Sequence, residues 1–239
     1  ALLLFLTARR HVNSWAALGG ALLWVAMAST EFGQPTYSEL PAALCTMGVL
    51  WQLSRLPITL RAAALAGMFA ALAVLSRTNL YPLPIAVGLV LLTINRTRPG
   101  SASPGAWLAY GLGGMVPVLL LVGVYGAAGK VDVLRLAMID VPLAYSGQMG
   151  PLAALKSHAS QFYVWTTIKP LILIPAVLIG AAGMLSGIVR RQQQGGTSWC
   201  WFVTLALAVT MAVALSLAFA GAAYPHYWLL FLPMLALFS

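Results

Sequence analysis

The sequence predicts an all-α, polytopic membrane protein, a bundle of transmembrane helices forming one domain over 1–239. Three observations carry that expectation. Hydrophobic residues make up 61% of the chain and charged residues only 7%, with a mean hydropathy of +0.91, whereas a soluble chain carries about 25% charge to cover its surface. Most of the few charges lie between apolar runs that approach the roughly 20 residues a helix needs to cross hydrocarbon. The regular polar–apolar alternation of a membrane β-barrel is absent.

Taken in order, residues 1–7 rise only about 10 Å as helix and read as the end of a helix that leaves the membrane at Arg9, Arg10 and His11. They have no basic flank and no small-residue cleavage site, so they are not a signal peptide. The chain starts without a methionine and stops inside an apolar run at 228–238, as expected of an internal fragment of a longer protein. Apolar spans are expected near 14–29, 40–53, 62–75, 81–94, 106–125, 168–189 and 199–220, about seven full crossings with partial helices at both ends. Several are short, and tilt or local thinning of the bilayer absorbs the difference. Between them fall a polar loop at 30–39, short turns at 55–61, 77–79 and 95–103, and the longest hydrophilic stretch, an extracytoplasmic loop at about 126–167.

Charge sets the orientation. Arg9, Arg10, Arg55, Arg61, Arg96, Arg98, Arg190 and Arg191 fall on one face of this topology, and Arg77, Lys130, Arg135, Lys156 and Lys169 on the other. Short loops rich in Lys and Arg stay cytoplasmic, and long loops count for little in that rule. The face opposite the Arg-rich one, which carries Glu31, Glu39, Asp132 and Asp140, is therefore expected to be extracytoplasmic. Although the formal net charge is +9, the basic residues flank apolar segments instead of clustering on a soluble element, which argues against a nucleic-acid partner. Cys45 and Cys200, at different depths in apolar stretches, read as packed thiols and not as a disulfide or a metal pair.

Four stretches could carry chemistry. Glu39 precedes Leu40 and Pro41, a pattern that starts a helix, where a carboxylate is favoured by the N-terminal dipole. It is either a solvated cap or a ligand for a sugar, a cation or a neighbouring base. Arg77, Thr78 and Asn79 close an outer turn. Arg77 either snorkels to the interface or grips a phosphate through two parallel N–H bonds. Residues 131–145 read as a helix lying on the membrane surface, with Leu134, Leu136, Met138 and Ile139 as its apolar contacts. The fourth, Gly221 through Tyr227 leading to Pro233, places Tyr224, Tyr227 and Trp228 where interfacial aromatics belong. Interfacial preference does not account for a Tyr-Pro-His-Tyr turn followed six residues later by a helical proline.

That spacing, Gly-(x)2-Tyr-Pro-His-Tyr-(x)5-Pro, resembles the last turn of bacterial GT-C glycosyltransferases, relatives of the protein O-mannosyltransferases and the lipid A aminoarabinose transferases. Residues 66–79, a small-residue helix ending in Ser76-Arg77-Thr78-Asn79, are similar to that family's Gly-rich helix and its Ser/Thr-Arg/Lys turn. Asp140-Val141-Pro142-Leu143-Ala144-Tyr145 resembles its Asn-Leu-Ala-Tyr segment, with Val-Pro in place of Asn.

The resemblance implies an inverting transferase in the bacterial inner membrane. It would move a sugar from a polyprenyl-phosphate donor to a lipid, glycan or protein acceptor at the extracytoplasmic face of the cell envelope. The family's catalytic base lies in a first outer loop, expected before Ala1. Glu39 would then be a supporting acid near acceptor or metal, with a divalent cation as the one cofactor that the family pattern leaves open. Arg77 and Asn79 would stand near the donor phosphate, and Tyr145, Tyr224, His226 and Tyr227 would line the substrate cavity. The alternative from another class is a transporter or flippase of a lipid-linked or small substrate, which calls for charges within the membrane. In this topology all charges fall at helix ends or in loops. A non-catalytic membrane scaffold is the third reading, and the Tyr-Pro-His-Tyr turn weighs against it.

Overall fold

The computed structural model describes residues 1–11, 14, 17–22, 39–146, 150, 152–153, 156–157, 160 and 197–218. Within them the chain is all helical: α1 (Leu2–Ala8), α2 (Glu39–Leu53), α3 (Leu60–Ser76), α4 (Pro82–Thr97), α5 (Ala106–Ala127), α6 (Val131–Arg135), α7 (Val141–Ser146) and α8 (Thr197–Ala218). A 3-10 turn, Thr78–Leu80, joins α3 to α4, and a π-helical stretch, Leu136–Asp140, makes α6 and α7 one helical run. That run is helical where the sequence predicts a helix, at 131–145.

Local chemistry explains the starts and stops. Thr59 is the N-cap of α3, its hydroxyl accepting from the Ala62 N–H at 3.1 Å, which satisfies one of the orphan donors of the first turn. Arg77 ends α3 by turning extended (φ −145, ψ 102). Pro82 opens α4, a position where its missing N–H costs nothing. Gly105, at φ +79, makes the left-handed step into α5 that a residue with a Cβ would resist.

The buried face of α3 is entirely small: Ala63, Ala66, Gly67, Ala70 and Ala73. It packs against α2 on one side and α5 on the other. The approach to α5 is backbone to backbone. A Cβ on Gly67 would meet the Tyr110 carbonyl, and one on Gly113 would meet the carbonyl and Cα of Ala64. Where lipid removes the hydrophobic drive between helices, contacts of this kind let dispersion hold them together. On the α2 side, a Cβ on Gly48 would lie 2.7 Å from the Phe69 ring, so that ring also depends on a glycine. Polar side chains within the helices turn back to their own carbonyls, as Thr46 does to Ala42 (2.9 Å), Ser76 to Leu72 (2.8 Å) and Ser216 to Ala212 (2.7 Å). Apolar surroundings demand this internal satisfaction.

Connectivity follows from a single bridge. Ile58 donates to the Ser101 carbonyl at 2.9 Å and accepts from the Ser103 N–H at 2.8 Å, which ties the loop before α3 to the loop before α5. Both helices therefore start at one end and run in the same direction, with α4 returning between them. α8 packs along α4, and its first turns reach α2, where the Trp201 indole N–H donates to the Leu53 carbonyl at 2.6 Å.

The expected crossings at 40–53, 62–75, 81–94, 106–125 and 199–220 correspond to α2, α3, α4, α5 and α8. The one at 14–29 is helical over 17–22, and the one at 168–189 lies outside the described residues. The number of full spans needs correction. Among the described residues one helix, α5, is long and apolar enough to cross a membrane, and Leu40–Leu53, Leu60–Ser76, Thr78–Ile94 and Cys200–Ser216 are shorter apolar helices. The 22 residues of α5 rise about 33 Å, against a hydrocarbon thickness of about 30 Å. Its neighbours are short because polar turns follow one another closely along the chain, with the Thr59 cap and the extended Arg77 bounding α3 and Pro82 opening α4. Only Ala106 and Tyr110 of α5 are buried, while Leu112, Leu119, Leu120 and Val124 are exposed, an apolar flank suited to lipid. One further expectation fails. Cys45 is half-buried, but Cys200 is exposed, because the buried face of α8 is the one carrying Trp201, Phe202, Leu205 and Val209.

The α3–α5 contact predicts an asymmetry among glycines. Gly67→Ala should destabilise the protein by about 1–3 kcal/mol, since a carbonyl cannot rotate away as a side chain can. Gly123→Ala, where a Cβ meets nothing within 4 Å, should leave the thermal unfolding midpoint in detergent unchanged or raised. Equal midpoints for the two variants would show that the close approach is not what holds the helices.

Candidate functional site

The residues singled out for chemistry gather at the end of the bundle opposite the Ile58–Ala102 bridge, as far as they are described. α2 and α3 are antiparallel, and Gly48 faces Phe69 across them. Gly48 is nine positions from Glu39 and Phe69 eight from Arg77, so the two termini stand at nearly the same height along the pair. Glu39 is the first residue of α2, as expected from Leu40-Pro41. Arg77 follows α3, with its N–H donating to the Ala73 carbonyl at 2.9 Å and its own carbonyl accepting from the Leu80 N–H at 3.0 Å. Asn79 reaches across to α8, its side-chain amide donating to the Ser216 carbonyl at 3.4 Å. The Arg77–Asn79 turn is thereby held against the end of α8, two residues before Ala218. Tyr145 belongs to α7, beyond the far end of α5. Tyr224, His226 and Tyr227 lie outside the described residues.

In the run that includes Tyr145, the charged side chains are solvent-facing. Arg135 pairs with Asp140 at 3.6 Å, both well exposed, and such a pair adds little stability. No three His, Cys, Asp or Glu side chains converge among the described residues in a way that could hold a metal ion.

Below the Arg77 turn an apolar groove of about 310 Å³ opens between α3, α4 and α5, lined by residues that include Gly67, Ala71, Val74, Leu75, Tyr110 and Met115. The Tyr110 hydroxyl, the polar tip of that wall, already donates to the Pro84 carbonyl at 3.1 Å. The wall is almost wholly apolar. Gly67 and Gly114, where α3 and α5 approach, form part of its wall, and Pro84 of α4 closes another side. A sequence pattern records the glycines but not the groove beside them.

The opposite end holds a cluster that sequence reasoning counted only as inward-facing charge. Arg10 lies over the Trp51 ring at 3.0 Å from its centroid and donates through Nη1 to the Trp51 carbonyl (2.6 Å) and the Ser54 hydroxyl (2.8 Å). Burial, then the like charges of Arg55 and Arg9, push its pKa down to about 10. Beside it His11 stacks on Phe202, centroids 3.9 Å apart and planes 12° from parallel. The signal was there in Arg9-Arg10 and Arg55 on loops assigned to one face, yet spacing alone does not bring those loops into contact.

Comparison with protein-family models, with curated proteins and with solved structures finds no match to this chain.

The two ends of α5 offer a direct check of its crossing. In a protein with Cys45 and Cys200 replaced by alanine, Pro104→Cys and Ala128→Cys should react with an impermeant thiol reagent from opposite sides of sealed vesicles. Labelling of both from the same side would rule out a span by α5.

Proposed function

We propose that this chain is part of a membrane glycosyltransferase that moves a sugar from a polyprenyl-phosphate donor to an acceptor hydroxyl at the extracytoplasmic face of a bacterial inner membrane. The observation that supports the reading best is a succession of surfaces. An apolar groove suited to an isoprenoid chain reaches Val74 and Leu75, and Arg77 follows directly, at the same level as Glu39. A lipid-phosphate sugar has that order of parts, an apolar tail, a phosphate and then a polar ring.

In the reaction proposed, the acceptor oxygen attacks the anomeric carbon from the face opposite the phosphate. The carbon–oxygen bond to phosphate breaks with its electron pair leaving on the phosphate, and the configuration inverts. The acceptor proton passes to a carboxylate acting as general base. Arg77 stabilises the charge growing on the departing phosphate, an interaction stronger in the transition state than in the ground state. Asn79, tied to Ser216, positions the turn that carries it. Glu39 supports the acceptor or a divalent cation, and Tyr145, Tyr224, His226 and Tyr227 line the cavity. A transporter or flippase remains the competing class. The described helices α2, α3, α4, α5 and α8 carry charges only in their first or last turns, which does not favour a conduction path.

In membranes carrying the full-length parent protein and labelled polyprenyl-phosphate sugars, Arg77→Ala should lower the transfer rate by about 10²–10³-fold, the usual cost of one donor at a developing oxyanion. Glu39→Gln should reduce it less. Normal transfer by both variants would sink the site assignment, and no turnover with any lipid-linked sugar would count against the class.

A further inference from the structure

The Arg-rich end carries positive charge that no described carboxylate balances, and it is built more firmly than a fringe of snorkelling arginines. Arg10 is fixed by two hydrogen bonds and a ring. Ser54, which accepts one of those bonds, is buried and is followed directly by Arg55, while Arg9 directly precedes Arg10. Arg9 and Arg55 are exposed, and Arg9 packs near the Phe5 ring at 5.7 Å. Among the described residues no carboxylate pairs with any of the three, and the buried Nε of Arg10 has no hydrogen-bond acceptor. Three like charges have thus been drawn together by α1, α2 and the loop between α2 and α3, with donors in excess of acceptors. Isolated cations at helix ends would spread apart under their repulsion, as that arrangement costs free energy unless an anion answers it.

We infer that Arg9, Arg10 and Arg55 form a phosphate-binding site at the end of the bundle opposite Arg77, suited to the headgroup of an anionic phospholipid. A planar guanidinium offers phosphate oxygens paired N–H donors. The site also lies on the face that charge distribution assigns to the cytoplasm, where anionic headgroups gather and each nearby Arg adds to attraction. Arg10, pinned over Trp51, forms the floor; the exposed Arg9 and Arg55 close on the ligand from either side. Because the same contacts join α1 to α2, an occupied site would brace this end of the bundle. The inference does not depend on the transferase reading.

The intact protein in phosphatidylcholine nanodiscs, with increasing phosphatidylglycerol, provides the test, read as the thermal unfolding midpoint. Phosphatidylglycerol should raise the midpoint, and added salt should weaken the effect. The double variant Arg9→Gln/Arg55→Gln, changed only at exposed positions, should keep its midpoint in pure phosphatidylcholine but need about 10-fold or more phosphatidylglycerol for half the response. Arg10→Lys, which retains charge but loses the fork, should also weaken the response. Inorganic phosphate forms a separate arm. If it reproduces the gain with the same dependence on Arg9 and Arg55, the phosphate site stands and its ligand is a soluble anion; if phosphatidylglycerol alone acts, the ligand is a lipid headgroup. An identical response in the double variant, or no response to either phosphate source, would overturn the inference.

Discussion

The contact on which the rest of this structure depends is the meeting of α3 and α5 at Gly67, Gly113 and Gly114. Two helices approach until a Cβ at Gly67 or Gly113 would strike the other backbone. Close approach multiplies weak dispersion contacts along both helices, and in an apolar solvent that is what remains to hold a pair together. It also fixes direction. With the Ile58 bridge binding the two starts, α3 and α5 run parallel, α4 must return, and the termini sort into two ends.

The two ends differ in kind. At one, rings and guanidinium lock loops together: Arg10 on Trp51, His11 on Phe202, Trp201 to Leu53. At the other, Asn79 makes a single long hydrogen bond to the last part of α8, beside a turn carrying Arg77. The groove between α3, α4 and α5 lies below the Arg77 turn and includes Gly67 and Gly114 of that close approach in its wall.

Much of the helical layout was legible in the sequence. The apolar runs near 40–53, 62–75, 81–94, 106–125 and 199–220 became helices because an apolar segment with no outside partner for its amides must bond them internally. Glu39 and the turn after Ser76 were visible through Pro41 and through the polar triplet Arg77-Thr78-Asn79. The turns at 55–61 and 77–79 were legible as well, and the Thr59 cap and the extended Arg77 fix the ends of α3 close to where they were expected; α5 alone has spanning length among the helices described. Cys200 looked like a packed thiol because the whole of α8 is apolar; which face turns inward depends on α4 and α2.

Composition by itself set the expectation of a membrane protein, because so few charges cannot cover a soluble surface, and the described residues are helical with one helix, α5, long and apolar enough to cross. The order of Arg and acidic residues along the chain further divided its loops into two sets. Only the tertiary structure decided which of those residues meet. Spacing within a helix specifies a face, but the partner of that face comes from elsewhere in the chain. Thus Arg10 found Trp51 and Ser54, Asn79 found Ser216, and a small-residue helix found the one neighbour whose glycines let it come close.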